Sequence, residues 1–187
     1  MKTADNPHAL VYRIDDQGRI TYVNPAWSEF ARNNQGKPVL PEYILKTSLM
    51  ASIADMTVRE LYRQMIKRAR AGSSVQFQYR CDAPDRRRLY GMEISLLASG
   101  EVEFASTLVH EDLRPAVALL EPGHARSRAL LRVCSWCQKV AMPDGQWLPV
   151  EEAVAELRLL ETDELPGLTH GICEACQSKL KAEIGLE

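Results

Sequence analysis

No run among the 187 residues approaches the ~18 consecutive apolar residues of a membrane-spanning helix, and the opening Met1-Lys2-Thr3-Ala4-Asp5-Asn6-Pro7 has no apolar signal-peptide core. A cytoplasmic location is the expectation. In a reducing compartment paired thiols more often hold metal or do redox work than form structural disulfides. The sequence also lacks a G-x-x-x-x-G-K phosphate loop, an H-E-x-x-H helix and a G-x-S-x-G elbow. With no convincing catalytic constellation, the chain reads as a non-enzyme.

Cysteine is scarce, at five residues, yet four of the five form two C-x-x-C pairs: Cys134-Ser135-Trp136-Cys137 and Cys173-Glu174-Ala175-Cys176, with 35 residues between them. A two-residue spacer suits a tight turn that aims both sulfurs at one point. Two such knuckles can surround one tetrahedral zinc ion, so Cys134, Cys137, Cys173 and Cys176 are the expected metal ligands. Four thiolates close the shell, leaving no open position for water, and zinc hydrolysis is not expected. His170, three residues before Cys173, reads as a donor behind the sulfurs or a surface residue. Two redox readings compete. In one, oxidation of a C-x-x-C releases the metal; in the other, a dithiol enzyme presents an attacking cysteine at a helix start, which usually needs a single C-x-x-C in a βαβ context.

With 45% hydrophobic and 26% charged residues the composition is that of an ordinary globular protein. Three parts are expected: a domain over residues 1–115 with its own core, a linker over 116–132, and a small module over 133–187. The module has few large apolar side chains, so its folding is expected to rest largely on metal. Residues 1–115 hold 16 Lys and Arg against 14 Asp and Glu, and residues 116–187 hold 7 against 11. The acidic tail, made more negative by four thiolates on one Zn²⁺, argues against nucleic-acid binding, which stays as an alternative reading.

Periodicity orders the first part. Leu10, Tyr12 and Ile14 alternate, Asp15-Asp16-Gln17-Gly18 turns, and Ile20 and Tyr22 alternate again, predicting a hairpin. Asn24 caps a short helix with Pro25 at its first position. Val58, Leu61, Tyr62, Met65, Ile66 and Ala69 recur at helical spacing from about Asp55 or Thr57 to Gly72, with Arg59, Arg63, Lys67, Arg68 and Arg70 opposite as a solvated face. Three strands follow, around Val75-Phe77-Tyr79, Tyr90-Met92-Ile94-Leu96 and Val102-Phe104-Leu108. The expected fold class is α+β: a five-stranded antiparallel sheet with helices on one face, then the zinc-stapled module. Arg86-Arg87-Arg88 reads as a solvated hairpin tip where an anion or acidic partner could dock. Pro115 and Pro122-Gly123 break the connector, predicting a short or interrupted helix there. In the module, Pro149 opens a helix whose Val150, Ala153, Val154, Leu157 and Leu160 share a face that could cover the metal, and a last helix runs from Glu174 to Glu183.

The stretch Ile14-Asp15-Asp16-Gln17-Gly18-Arg19-Ile20-Thr21-Tyr22-Val23-Asn24-Pro25-Ala26-Trp27 resembles the opening of a PAS domain, with its D-x-x-G-x-I-x-x-x-N-x-A pattern. Tyr79 to Arg88 resembles the later strands of bacterial PAS sensors, and His110-Glu111-Asp112-Leu113 sits where such domains end. The resemblance covers about residues 8–114. The cysteine module, with Gly145-Gln146-Trp147-Leu148-Pro149 and Thr169-His170-Gly171 beside its knuckles, resembles one appended to some bacterial PAS and two-component sensors. These likenesses imply a signal-transduction protein that senses a ligand or binds a protein partner, and a homodimer.

After the PAS-like part no phosphoacceptor region, cyclase or DNA-binding helix pair can be recognised, so a signal would pass by protein contact. A PAS-like pocket could hold an unidentified small ligand. Flavin photochemistry of the light-sensor kind would ask for a helical cysteine, and no cysteine or histidine lies between residues 24 and 72. For haem, Cys81, His110, Met50 and Met56 offer axial groups, and each reads as structural or exposed.

Overall fold

The computed structural model describes residues 6–34, 36–162 and 164–185. Residues Met1 to Asp5, read above for a signal peptide, lie outside them.

The first hairpin pairs β1 (Leu10–Ile14) with β2 (Ile20–Val23). Its turn depends on Gly18 at φ 75°, a left-handed conformation that costs a residue with a Cβ. The Asn24 side chain accepts from the Trp27 N–H and so caps α1 (Pro25–Asn33), a contact of about 1 kcal/mol. A one-turn helix α2 (Pro41–Ile44) leads to α3 (Met56–Arg70), which Asp55 caps at the Val58 N–H. The buried face of α3 is Val58, Leu61, Met65, Ile66 and Ala69, as its periodicity predicts. Each larger side chain there contributes about 1.5–3 kcal/mol by leaving water.

Strands β3 (Val75–Arg80), β4 (Arg86–Leu96) and β5 (Val102–Leu113) complete an antiparallel sheet of order β2-β1-β5-β4-β3. The helices fall between the second and third strands in sequence, and the predicted α+β layout is present. The last two strands are longer than alternation alone shows. Arg86, Arg87 and Arg88 therefore lie in the β4–β5 ladder, not on a solvated tip, and Arg88 is only 7% exposed.

Residues 116–132 hold a 3-10 turn at Ala118–Leu120 and then most of β6 (Arg126–Cys134), where an interrupted helix is predicted. A second sheet follows, of order β8-β7-β6-β9, with β7 (Val140–Ala141), β8 (Trp147–Leu148) and β9 (Leu165–Gly171). β6 and β9 run parallel, and α4 (Val150–Glu156) lies in the crossover between them. This sheet has apolar packing of its own: Val117, Leu119, Val133, Val140, Met142, Val150, Ala153, Val154, Leu159 and Leu165 form one buried cluster. The tail is thus better provided with core than its composition suggests. α4 packs into that cluster and not over the sulfurs, and Leu160, expected on its buried face, is 74% exposed. The final helix α5 spans Glu174–Glu183 as predicted. No helix among the described residues is long and apolar enough to cross a membrane.

Candidate metal centre

The first knuckle forms where β6 ends. The Cys134 N–H donates to the Lys139 carbonyl at 2.8 Å, and the Gln138 N–H donates back to the Cys134 carbonyl at 2.9 Å. Gln138 sits at φ 59°, closing a turn that points Cys134 and Cys137 the same way. The second knuckle forms where β9 ends and α5 begins. Parallel pairing of β6 with β9 sets Cys134 opposite Gly171, and the Ser135 N–H donates to the Gly171 carbonyl at 2.8 Å. Two sites 35 residues apart in sequence thus become neighbours through one strand pair.

The sulfurs of Cys134, Cys137, Cys173 and Cys176 all lie within 4.8 Å of one another, and the Cys137 and Cys173 sulfurs are 3.9 Å apart. A tetrahedral shell with metal–sulfur bonds of about 2.3 Å, the zinc–thiolate length, sets its sulfurs about 3.8 Å apart. The four side chains therefore fit around a metal ion. All five cysteines are free thiols.

Two backbone N–H groups support the sulfurs: Cys173 donates to the Cys134 sulfur and Cys176 to the Cys173 sulfur, each at 3.4 Å. A hydrogen bond from Cys137 lowers the Cys134 thiol to about 5, against burial and with help from backbone amides of Cys173, Cys137 and Trp136. The same bond raises Cys137, and burial raises Cys176 to about 12. One thiolate is readily accommodated; further negative charge asks for a cation among the sulfurs.

The centre is built into the first sheet. Cys134, Trp136, Ile172, Cys173, Leu180 and Ile184 belong to the same buried cluster as Ile14, Met65, Phe77, Ile94 and Phe104. The Trp136 ring lies 5.9 Å from Phe77 and 6.3 Å from Tyr62, and its carbonyl accepts from the Arg80 N–H at the end of β3. Sequence reasoning missed this docking. The available signal was Trp136 itself, a large apolar side chain inside a C-x-x-C loop that nothing within the module needed. Polar ties reinforce it: Arg132 meets Asp55 at 2.6 Å, Arg87 meets Glu151 at 2.7 Å, and Arg114 meets Glu151 at 2.8 Å.

A cavity of about 490 Å³ opens at this junction, lined from the first sheet's side by Asp55, Val58, Tyr62, Phe77 and Tyr79 and from the module by Trp136, Leu168 and His170. The module thus forms one wall of this space beside α3 and β3. Burial holds the Tyr62 phenol up at about 12, so it stays protonated. The Trp136 indole N–H is buried there without a hydrogen-bond partner among the described residues. His170 lies exposed on the rim, outside the sulfur cluster.

The four residues considered for haem are dispersed. Met56 is 65% exposed, His110 pairs with Asp112 on the surface, Met50 packs against the first core, and Cys81 has its thiol raised by burial.

The sequence matches no family model and no curated protein. Solved structures that resemble the chain include a domain of an HTR-like protein from Haloarcula marismortui ATCC 43049, at 15% identity and TM-score 0.38, covering 55% of this chain and 99% of that one. A domain of a sensory box sensor histidine kinase/response regulator from Geobacter sulfurreducens matches at 13% identity and TM-score 0.39, covering 54% and 83%. The PAS domain of nitrogen regulation protein NR(II) from Vibrio parahaemolyticus matches at 17% identity and TM-score 0.35, covering 57% and 96%. Likenesses at these values bear on no residue's role.

Proposed function

We propose that the chain is a non-enzymatic signal-transduction protein, in which a PAS-like sensing or interaction domain is clamped by a structural Zn(Cys)4 module. The observation that carries the metal reading is the set of four sulfurs within 4.8 Å of one another, reached from two separate knuckles. Cys134, Cys137, Cys173 and Cys176 would hold the ion, and zinc would supply a redox-inert tetrahedral staple. The cavity beside Trp136 would receive a small ligand or report on module docking. This reading also carries a cytoplasmic location, a protein partner and a homodimer as proposals.

Elemental analysis of the purified chain is expected to give one zinc per chain, retained under mild peroxide with no loss of free thiols. A second reading draws on the partly exposed Cys137 and Cys176. They could admit oxidant and make the centre a redox switch, in which case peroxide would release zinc and thioredoxin-type reduction would restore it. A protein purified without metal, and taking up none, would defeat both.

A further inference from the structure

The Arg86 end of β4 and the turn before it gather five arginines, and four of them meet carboxylates. Arg80 pairs with Asp82, Arg86 with Asp85 and Glu111, Arg87 with Glu151, and Arg114 with Asp82 and Glu151. Arg88 differs. It is 7% exposed, and among the described residues no carboxylate lies within ion-pair distance of its guanidinium. Nε donates to the Cys81 carbonyl at 2.8 Å, one terminal nitrogen donates to Asn34 Oδ1 at 2.9 Å, and the group stands 4.9 Å over the Phe30 ring. All three partners are neutral, and the other terminal nitrogen, Nη1, has no acceptor among the described residues. The nearest negative charge is Asp82, whose Oδ1 accepts from the Arg88 backbone N–H at 3.2 Å and not from the guanidinium, so an anion with good geometry would complete the pairing of this charge.

Arg88 lines a cavity of about 790 Å³ that lies apart from the sulfur centre and the Trp136 cavity. Its apolar walls come from Phe30, Ala83, Pro84, Leu120 and Pro122. Asp82, Asp85 and Arg86 also border it, and each is already ion-paired, so among the described charged residues of the lining Arg88 alone has a guanidinium free of an ion pair. A ligand with a second negative charge would face those carboxylates. The planar guanidinium fork matches a carboxylate, and the apolar walls suit a hydrocarbon body.

We propose that this cavity is a binding site for a small organic monocarboxylate, its carboxylate on Arg88 and its apolar body against Phe30, Pro84, Leu120 and Pro122. Two of those walls belong to the segment that leads into β6, so the occupant touches the connection between the two sheets. The site is independent of whether the sulfurs hold metal.

The test titrates the full chain with sodium benzoate while following the Arg88 Nε–H resonance, assigned by its disappearance in Arg88→Lys. A saturable shift is expected, with half-saturation at about 1 mM or below. Arg88→Met is expected to weaken benzoate binding by about tenfold or more, and inorganic phosphate to give no saturable shift. No saturable shift with benzoate, undiminished binding by Arg88→Met, or tighter binding of phosphate than of benzoate would each overturn the proposal. Should Arg88→Met fail to fold, the wild-type Nε–H titration against benzoate and phosphate still decides.

Discussion

The two sheets are held by different means. The first has five antiparallel strands, with β4 and β5 aligned over 11 and 12 residues, and a core covered by α3. The second has two strands of only two residues each, and its main ladder is the parallel pair β6–β9, interrupted between Ser127 and Leu130. Such a ladder holds its ends together poorly without help. Help comes from its own apolar cluster, from docking of Trp136 onto the first sheet and, under the proposed reading, from a metal held by the sulfurs at the ends of β6 and β9. The first sheet should therefore outlast a loss of the sulfur centre, while the second should not.

Cys173→Ser gives the largest expected effect. Cys173 is 4% exposed, caps α5, and contributes one of the four sulfurs. Under the proposed zinc reading, structural zinc in a small module contributes on the order of 10–16 kcal/mol of apparent binding free energy, so losing one of its four sulfurs is expected to forfeit several kcal/mol. Hydrogen exchange should show protection lost across β6 and β9 and kept across β4 and β5. Equal loss in both sheets would erase the contrast and make the molecule one cooperative unit.

Arg114→Ala comes next, because it acts at the seam. The Arg114 side chain is 4% exposed and that of Asp82 is fully buried; they lie 3.3 Å apart, with Glu151 of the module at 2.8 Å. Arg114 also donates to the carbonyls of Ala83 and Pro84. Removing it orphans all four acceptors in part, and a cost of about 3–5 kcal/mol is expected from urea unfolding. A double-mutant cycle with Glu151→Ala should leave a coupling of about 1 kcal/mol or more; additivity would show that Arg114 and Glu151 do not hold the seam through each other.

This contrast also explains what could be read from the sequence. The hairpin, the α1 and α3 caps and the α3 stripe were legible because each rests on contacts within a few residues, as Asn24 with Trp27 and Asp55 with Val58 show. The sulfur quartet was legible because paired spacing is rare by chance and chemically restrictive. β6 was not, since its partner β9 lies some 40 residues on and parallel pairing leaves no turn signature between them. The burial of Arg88 was hidden for a related reason: three consecutive arginines look solvated until the neighbouring strand, α1 and the connector close around one of them.

Glu151→Gln gives the smallest effect and the sharpest signature, because it tests the seam by titration. Burial pushes the Glu151 carboxyl upward, but hydrogen bonds from Arg87, its own backbone N–H and Arg114 outweigh this and bring it to about 2. A carboxyl depressed in the folded state stabilises fully above its unfolded value, near 4.5, and loses that contribution as pH falls through the folded one. Glu151 is about one-third exposed, so solvent screening reduces the expected contribution to about 1 kcal/mol. The variant should thus be less stable than wild type by about 1 kcal/mol at pH 7, with the gap closing between about pH 4.5 and pH 2. A gap unchanged over that window would mean that Glu151 holds the module by shape and not by charge, leaving the Arg132–Asp55 pair as the ionic tie across the seam.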